Sequence, residues 1–424
     1  MSQPFDVAVI GAGYVGIPHA ATFAEAGCSV LVVDVVPALV EQLNRGESHI
    51  EDVSSERLAP LVESGKLRAT TDYAEVAECD AIVIAVPTPL SRQREPDLSI
   101  VEAVARSLTP VLRKGQLVVL ESTTWPGTTR ELLQPILETS GLKAGEDFHL
   151  AFAPERVDPG RTDWTTKTTP KVVGGITPAC TERAAELYER AIDTVHRVST
   201  PEAAELTKLL ENTFRAVNIA LVNELAVLCD RMEIDIWEVV DAAATKPFGF
   251  MQFNPGPGLG GHCIPVDPFY LTWKAREYGF HTEFIELAGK VNEEMPYFCR
   301  SLVSQALNHH SQRAMKGSRV LVLGVAYKPD IADMRESPAV KLISLLVNAG
   351  ADVSYHDPHV ASFDEHGLTM ASVAYEPAAY DCVVIATDHD SIDYAQLVDD
   401  AQLVVDLRNA TGAKGTGSSK VFKL

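Results

Sequence analysis

Cys263 lies in the run Gly256-Pro-Gly-Leu-Gly-Gly-His-Cys-Ile-Pro-Val-Asp267, a thiol in a loop walled by glycines and pinned by prolines. A cysteine attacks a carbonyl carbon as its thiolate, and with an unperturbed pKa of ~8.5 only a few per cent is ionised at neutral pH. Beyond it the chain reads as a helix start, with Asp267 at the cap and Pro268 at the first position, and a helix N-terminus stabilises a nearby thiolate. The flanking glycines let a ligand approach the backbone closely. The competing reading is a buried structural thiol, the commoner fate of cysteine. The same chain opens with Val7-Ala-Val-Ile-Gly-Ala-Gly-Tyr-Val-Gly16, a strand running into a glycine turn. A dinucleotide turn together with a nucleophilic thiol is what oxidation of an alcohol past the aldehyde requires.

In that turn Gly11, Gly13, Tyr14, Val15 and Gly16 are the candidate pyrophosphate contacts, and Asp34 ends the next strand roughly 20 residues on, where a carboxylate accepts both ribose hydroxyls. Asp34 favours NAD over NADP, because a 2′-phosphate would face an anion. Pro87 and Thr88 of Val86-Pro-Thr-Pro89, and Thr123 of Glu121-Ser-Thr123, follow later strands, where a doubly wound sheet places its ligand. Turn chemistry explains any one of these as well. Lys208 and Asn212 are four residues apart on a helical stretch and share a face, so an ammonium and a carboxamide could stabilise a developing alkoxide. A solvated helix-surface pair is the alternative.

Short Val/Ile/Leu strands must hold these groups, and they occur twice. Asp6 to Gly11, Cys28 to Asp34, Asp80 to Val86 and Gln116 to Ser122 are matched by Ser318 to Gly324, Asp352 to Asp357, Asp381 to Thr387 and Gln402 to Arg408. Continuous apolar strands separated by helical stretches indicate parallel sheets buried on both faces. The fold class is therefore α/β, two Rossmann-like doubly wound domains joined by a long central helix. The second glycine turn is incomplete: Gly324-Val-Ala-Tyr-Lys-Pro-Asp keeps one glycine and adds Lys328. A phosphate ligand other than a second NAD, met by Lys328 and Arg335, fits it better than a solvated loop. The connecting helix starts at Thr200-Pro-Glu with a cap, a first-position proline and an acid, and runs to about Met232. Its stripe of Leu206, Leu209, Leu210, Phe214, Val217, Leu221, Leu225 and Leu228 is wide enough to meet more than one neighbour, so a homodimer through this helix is expected. The expected domains are residues 1–199, 200–310 and 311–424. The tail from Ala413 to Lys420, rich in Gly and Ser, is expected to be disordered.

Against 36 Lys and Arg stand 58 Asp and Glu, a formal charge of -22 that repels nucleic acid at long range. No apolar run approaches the ~18 residues of a membrane span and no basic leader precedes the first strand, so neither membrane insertion nor export is expected. Seven cysteines without a CxxC pair fit a reduced, cytoplasmic protein with neither a disulfide framework nor a metal site.

Taken in order, Gly-x-Gly-Tyr-Val-Gly16, Val86-Pro-Thr-Pro89, Ser122-Thr-Thr-Trp-Pro-Gly127, Pro154-Glu-Arg-Val-Asp-Pro-Gly160, Lys208 with Glu211-Asn-Thr, Gly258-Leu-Gly-Gly-His-Cys263-Ile-Pro-Val-Asp267 and Lys328-Pro-Asp-Ile-Ala-Asp-Met-Arg335 resemble the UDP-glucose/GDP-mannose dehydrogenase superfamily over nearly the whole chain. Within it they look most like the UDP-N-acetylhexosamine 6-dehydrogenases, the UDP-N-acetylglucosamine enzymes above all. The resemblance implies a four-electron oxidation of the sugar C6 hydroxyl to a carboxylate with two NAD in succession. Cys263 would form a thiohemiacetal and then a thioester that water releases. Lys208, Asn212 and Asp267 would stabilise alkoxide and orient water, Thr123 would hold that water, and Glu155 would be the hydrolytic base. Gly258, Gly260, Gly261 and Lys328 would contact the UDP-sugar together with Glu155, Lys208 and Asn212, and Arg335 would reach NAD. UDP-glucose members carry a second glutamate where this chain has Pro159, and a partner arginine without an equivalent near Lys246-Pro-Phe-Gly249, so glucose is disfavoured as the sugar. UDP-N-acetylmannosamine and UDP-glucose remain the alternative substrates. A two-electron dehydrogenase and a non-catalytic nucleotide-binding protein are the rival functions.

Overall fold

The computed structural model describes residues 5–50, 52–91, 94–157, 163–261 and 264–424. The chain divides into two compact units, one of Met1–Glu211 with Phe269–Phe280, the other of Asn212–Pro268 with His281–Leu424.

The first unit is built on eight strands: β1 (Val7–Ile10), β2 (Val30–Val33), β3 (Leu67–Thr70), β4 (Ala81–Ile84), β5 (Leu117–Leu120), β6 (His149–Phe152), β7 (Lys171–Gly175) and β8 (Val195–Arg197). They lie in the order β3-β2-β1-β4-β5-β6-β7-β8. Every residue of β1, β2, β4 and β5 is buried, which is why these segments carry unbroken Val, Ile, Leu and Ala instead of alternating with polar residues. Strand order reverses between β1 and β4, so the loops after those two strands open onto one crevice. Here the structure departs from a wholly parallel sheet, because β7 joins β6 antiparallel before β8 resumes parallel to β7.

The second unit carries β9 (Arg319–Leu323), β10 (Asp352–His356), a hairpin of β11 (Ser362–Glu365) with β12 (Leu368–Ala371), β13 (Cys382–Ile385), β14 (Val404–Asp406) and β15 (Val421–Lys423). Its parallel sheet runs β10-β9-β13-β14-β15, the flavodoxin-like order once the hairpin is set aside. The tail is a correction to the sequence reading. Instead of being disordered, it contributes to the short helix Gly412–Thr416, and the edge strand β15 follows it. Asp406 accepts from Thr411 N at 2.8 Å and Thr411 Oγ1 at 2.6 Å, and Trp237 Nε1 donates to the Leu424 carbonyl at 2.9 Å. These long-range anchors override a flexible composition. Ala226, Ile236, Trp237, Cys299, Leu302 and Val303 share one core with the β9 to β14 sheet, so the helices before β9 pack with the second unit.

The long helix spans Pro201–Met232, with Thr200 Oγ1 accepting from Ala203 N at 3.2 Å. Its buried face is mostly small or polar, including Ala204, Glu205, Lys208, Asn212, Ala216, Ala220, Asn223 and Ala226. The larger apolar residues of the expected stripe mostly stand outward: Leu210 is 63% and Leu221 56% exposed, and Leu206, Phe214, Leu225 and Leu228 are exposed too, whereas Leu209 is buried. Glu205, fully buried, accepts from Gly127 N at 2.5 Å, Thr129 N at 2.9 Å and Thr129 Oγ1 at 2.7 Å, tying the loop after β5 to the helix. Burial, only partly offset by these hydrogen bonds, lifts its pKa to about 7. A raised folded-state pKa adds stability that is complete below the unfolded value and is lost as pH rises through about 7. Comparing urea midpoints of wild type and Glu205→Gln between pH 5 and pH 8 should show the wild type losing roughly 3 kcal/mol more than the variant, which lacks this titration. Parallel slopes for the two proteins would refute the assignment.

Candidate functional site

In the first unit the glycine turn is held by steric necessity. Gly11 has a φ of +104°, and a Cβ there would lie 2.4 Å from the Ala85 carbonyl oxygen; one at Gly16 would lie 1.9 Å from the Gly11 carbonyl oxygen. Those two glycines let the turn pack against the loop after β4 and let the helix Gly16–Glu25 pack against the turn. Gly13 differs, because no atom lies within 4 Å of the position its Cβ would take. That open face leaves room for a pyrophosphate to reach the backbone. Tyr14 is exposed and Val15 half-buried beside it. Asp34 Oδ2 accepts from Ala12 N at 2.8 Å and its Oδ1 from Val36 N at 2.9 Å, so the carboxylate that would meet a ribose is fixed to the turn itself. It remains partly exposed. The residues present therefore fit NAD.

The neighbouring strand-end loops are cross-tied. Ser122 Oγ accepts from Val86 N at 2.9 Å and donates to Val86 O at 2.7 Å, binding the loop that carries Pro87 and Thr88 to the one that carries Thr123. Tyr270 Oη donates to the Thr88 carbonyl at 2.9 Å. Thr123 is half-buried on that cross-tied segment. Glu155, after β6, has Oε1 accepting from Val157 N at 2.6 Å and Oε2 lying 2.9 Å from His19 Nε2 and 3.2 Å from Lys171 Nζ. Burial alone would raise its pKa, but Lys171 and His19 outweigh that and hold it well below the usual carboxylate range. Neither His19 nor Lys171 was singled out in the sequence; a histidine at an otherwise apolar helix position was the one available signal.

In the second unit the glycine-rich loop is shaped by its own neighbours. A Cβ at Gly260 would fall 2.5 Å from Tyr327 Cβ, one at Gly261 3.0 Å from the Tyr327 ring, and one at Gly258 3.1 Å from Pro338 Cβ. Gly261 N donates to the Arg335 carbonyl at 2.9 Å. Close approach, the reason for glycine here, is thus already made by Tyr327 and Pro338. Gly256 N donates to Asn223 Oδ1 at 2.9 Å, and Asn223 Nδ2 donates to Asn292 Oδ1 at 2.9 Å, anchoring the loop to two helices. Asn212 Nδ2 donates to Asp267 Oδ2 at 2.5 Å, with both side chains buried, so residues 55 apart in sequence form one polar pair. Asp267 is the first residue of the helix Asp267–Ala275. Lys208, one turn before Asn212 on the long helix, is buried as well.

The second incomplete turn has its own carboxylate, Asp357, after β10. Asp357 Oδ2 accepts from Val325 N at 2.7 Å and Ala326 N at 3.1 Å and lies 3.1 Å from His389 Nε2. Although burial opposes it, the His389 and backbone hydrogen bonds hold this carboxyl well below its ordinary range. Asp357 is fully enclosed where Asp34 is partly open, so it closes its own turn and has no face left for a ribose. Arg335 Nη2 lies 2.6 Å from Asp333 Oδ2, and Lys328 is half-buried beside the same turn.

Cys263 lies outside the described residues. The other six cysteines are buried. Burial pushes the Cys79 and Cys299 thiols up to about 12 and raises Cys28 and Cys382 too, which suits structural thiols and not nucleophiles. Among the described residues no helix is long and apolar enough to cross a membrane.

Residues 5–192 match the NAD binding domain of the UDP-glucose/GDP-mannose dehydrogenase family, residues 202–294 its central domain and residues 321–413 its UDP binding domain. The chain is 36% identical over 389 residues to a UDP-N-acetyl-D-glucosamine 6-dehydrogenase of Pseudomonas aeruginosa, covering 90% of each protein. It is 37% identical over 400 residues to a UDP-N-acetyl-D-mannosamine dehydrogenase of Escherichia coli strain K12, covering 90% of this chain and 93% of that one. Among solved structures, a UDP-D-ManNAc dehydrogenase from Pyrococcus horikoshii superposes with a TM-score of 0.90 at 33% identity, covering 99% of this chain and 98% of that one.

Proposed function

The chain belongs to the UDP-glucose/GDP-mannose dehydrogenase family, and from that premise we propose that it oxidises the C6 hydroxyl of a UDP-N-acetylhexosamine, UDP-N-acetylglucosamine foremost, to the uronic acid. NAD, when bound at the Gly11 to Gly16 turn and Asp34, supplies the hydride acceptor for both oxidations. The buried Asn212–Asp267 pair, one helical turn from buried Lys208, is the observation that carries this reading. Asp267 takes one N–H of the Asn212 amide and so orients the other. That donor and the Lys208 ammonium stabilise the C6 alkoxide and later the oxyanion of the covalent adduct. Cys263 Sγ bonds to the aldehyde carbon as a thiohemiacetal; loss of hydride leaves a thioester, and water then breaks the C–S bond to give carboxylate and free thiol. Glu155, held ionised against the effect of burial by Lys171 and His19, offers that water an acceptor, and Thr123 helps to hold it. Lys328 is assigned to the UDP-sugar with the glycine loop, and Arg335 to NAD. The outward apolar face of the long helix supports a homodimer, and burial of its leucines is the reason such a pair would hold. A cytoplasmic enzyme supplying uronic acids fits the acidic, cysteine-poor surface.

The N-acetyl preference rests on the relatives and on the Pro159 and Lys246 to Gly249 departures. It is tested by measuring NADH formation with UDP-glucose, UDP-N-acetylglucosamine, UDP-N-acetylgalactosamine, UDP-N-acetylmannosamine and GDP-mannose. A UDP-N-acetylhexosamine should exceed UDP-glucose in kcat/KM by at least about tenfold, since a pocket group that bonds the acetamide is left unpaired by a hydroxyl. Preference for UDP-glucose or GDP-mannose by the same margin would overturn it.

A further inference from the structure

Five side chains of the first unit form one cluster with Glu155 at its edge: His19 on the helix Gly16–Glu25, Glu121 after β5, Glu155 after β6, Lys171 in β7 and Tyr188 on the helix Pro178–Glu189. His19 Nδ1 lies 3.0 Å from Glu121 Oε2, and its Nε2 lies 2.9 Å from Glu155 Oε2. Lys171 Nζ lies 2.9 Å from Glu121 Oε1 and 3.2 Å from Glu155 Oε2, and Tyr188 Oη donates to Glu121 Oε1 at 2.5 Å. His19, Glu121, Lys171 and Tyr188 are almost wholly buried, and Glu155 alone reaches the rim. Carboxylates and cations alternate around this ring, and across it Lys171 Nζ lies 3.2 Å from His19 Nε2, a like-charge contact that the two carboxylates must outweigh. With a neutral imidazole the cluster would hold two carboxylates against one ammonium, an uncompensated buried charge; with an imidazolium it is balanced. Burial and the adjacent Lys171 ammonium both lower the His19 pKa, yet Glu121 and Glu155 together outweigh them and push it up to about 9. The donor set His19, Glu121 and Glu155 has the spacing of a metal site, but the Lys171 ammonium already stands among those atoms as the cation.

We propose that His19 is a positioning residue for Glu155: clamped between two carboxylates, its imidazolium supplies the second positive charge that keeps the rim carboxylate ionised and fixed in orientation. The inference rests on the hydrolytic role given to Glu155 above. Without His19, Glu121 and Glu155 share Lys171 alone, and one of two carboxylates around a single cation takes up a proton at higher pH.

The test follows release of uronate from the enzyme in a single turnover, as a function of pH. Wild type should keep its acid limb below the usual carboxylate range. His19→Leu should move that limb up by roughly one to two units while leaving the first oxidation within about twofold. His19→Gln, which keeps a donor and loses the charge, should move it the same way. The double variant His19→Leu with Glu121→Gln restores charge balance and should return the limb to within roughly half a unit of wild type, a rescue that loss of packing alone would not produce. An unshifted limb in both single variants, or a double variant more impaired than His19→Leu, overturns the clamp. Glu155→Gln serves as the reference. If its release rate equals that of wild type, the role of Glu155 itself falls; if it is slowed while the His19 variants are not, the clamp alone falls.

Discussion

Replacing Cys263 with serine should lower uronate formation by at least about a thousandfold and cut the yield from two NADH per sugar to one or none. The argument is one of nucleophilicity and leaving-group ability. A thiolate is available near neutral pH, adds to the aldehyde and later departs from a thioester, whereas a serine hydroxyl is scarcely ionised and would form a more stable ester. Cys79→Ser and Cys299→Ser are the controls, because those thiols are buried and strongly disfavour ionisation, and their variants should keep the wild-type stoichiometry. A Cys263→Ser enzyme that still gave two NADH per sugar at an undiminished rate would end the covalent route and leave the thiol as loop packing.

The second large effect is expected at Lys208. Its side chain is buried on the same helical face as Asn212, so its ammonium acts where water screens it least. Lys208→Met keeps the length and apolar stem but deletes the charge, and should reduce kcat by about a hundred- to a thousandfold with a much smaller change in KM, as for other preorganised oxyanion donors. Such a split marks an interaction made in the transition state more than in the ground state. Should KM rise while kcat stays within a factor of about three, Lys208 would be a substrate anchor and the alkoxide would be stabilised elsewhere.

Much of the site was legible in the chain because local rules determine it. Gly11, Gly13 and Gly16 follow a strand, open a helix and precede Asp34 at the next strand end; Gly11 and Gly16 are sterically required, and Gly13 leaves an open face. Lys208 and Asn212 were placed on one face by helical spacing alone, and both prove buried. Other features were hidden because their partners are distant in sequence. The link from Asn212 to Asp267 crosses 55 positions, and that from His19 to Lys171 crosses 152. No periodicity records such pairings. The leucine stripe of the long helix was visible as a pattern, but not which face the chain buries: the small and polar face packs inward and most of the large residues face out. The glycines from Gly256 to Gly261 suggested room for a ligand, whereas Tyr327, Pro338 and Arg408 occupy the space a side chain would take.

By itself, then, the order of residues determined the twofold α/β plan, the glycine turn with Asp34 at the next strand end, the connecting helix from Pro201 to Met232 and the identity of the thiol set among glycines. These are properties of short windows, where backbone sterics, capping and strand periodicity act between near neighbours. Only tertiary structure decided that Asp357 closes its own turn while Asp34 stays partly open, that Glu155 stands at the rim of a balanced ring of buried charges, and that the last residues form an edge strand. Those outcomes depend on which distant groups share a low-dielectric interior, where one charge more or less alters every ionisation around it.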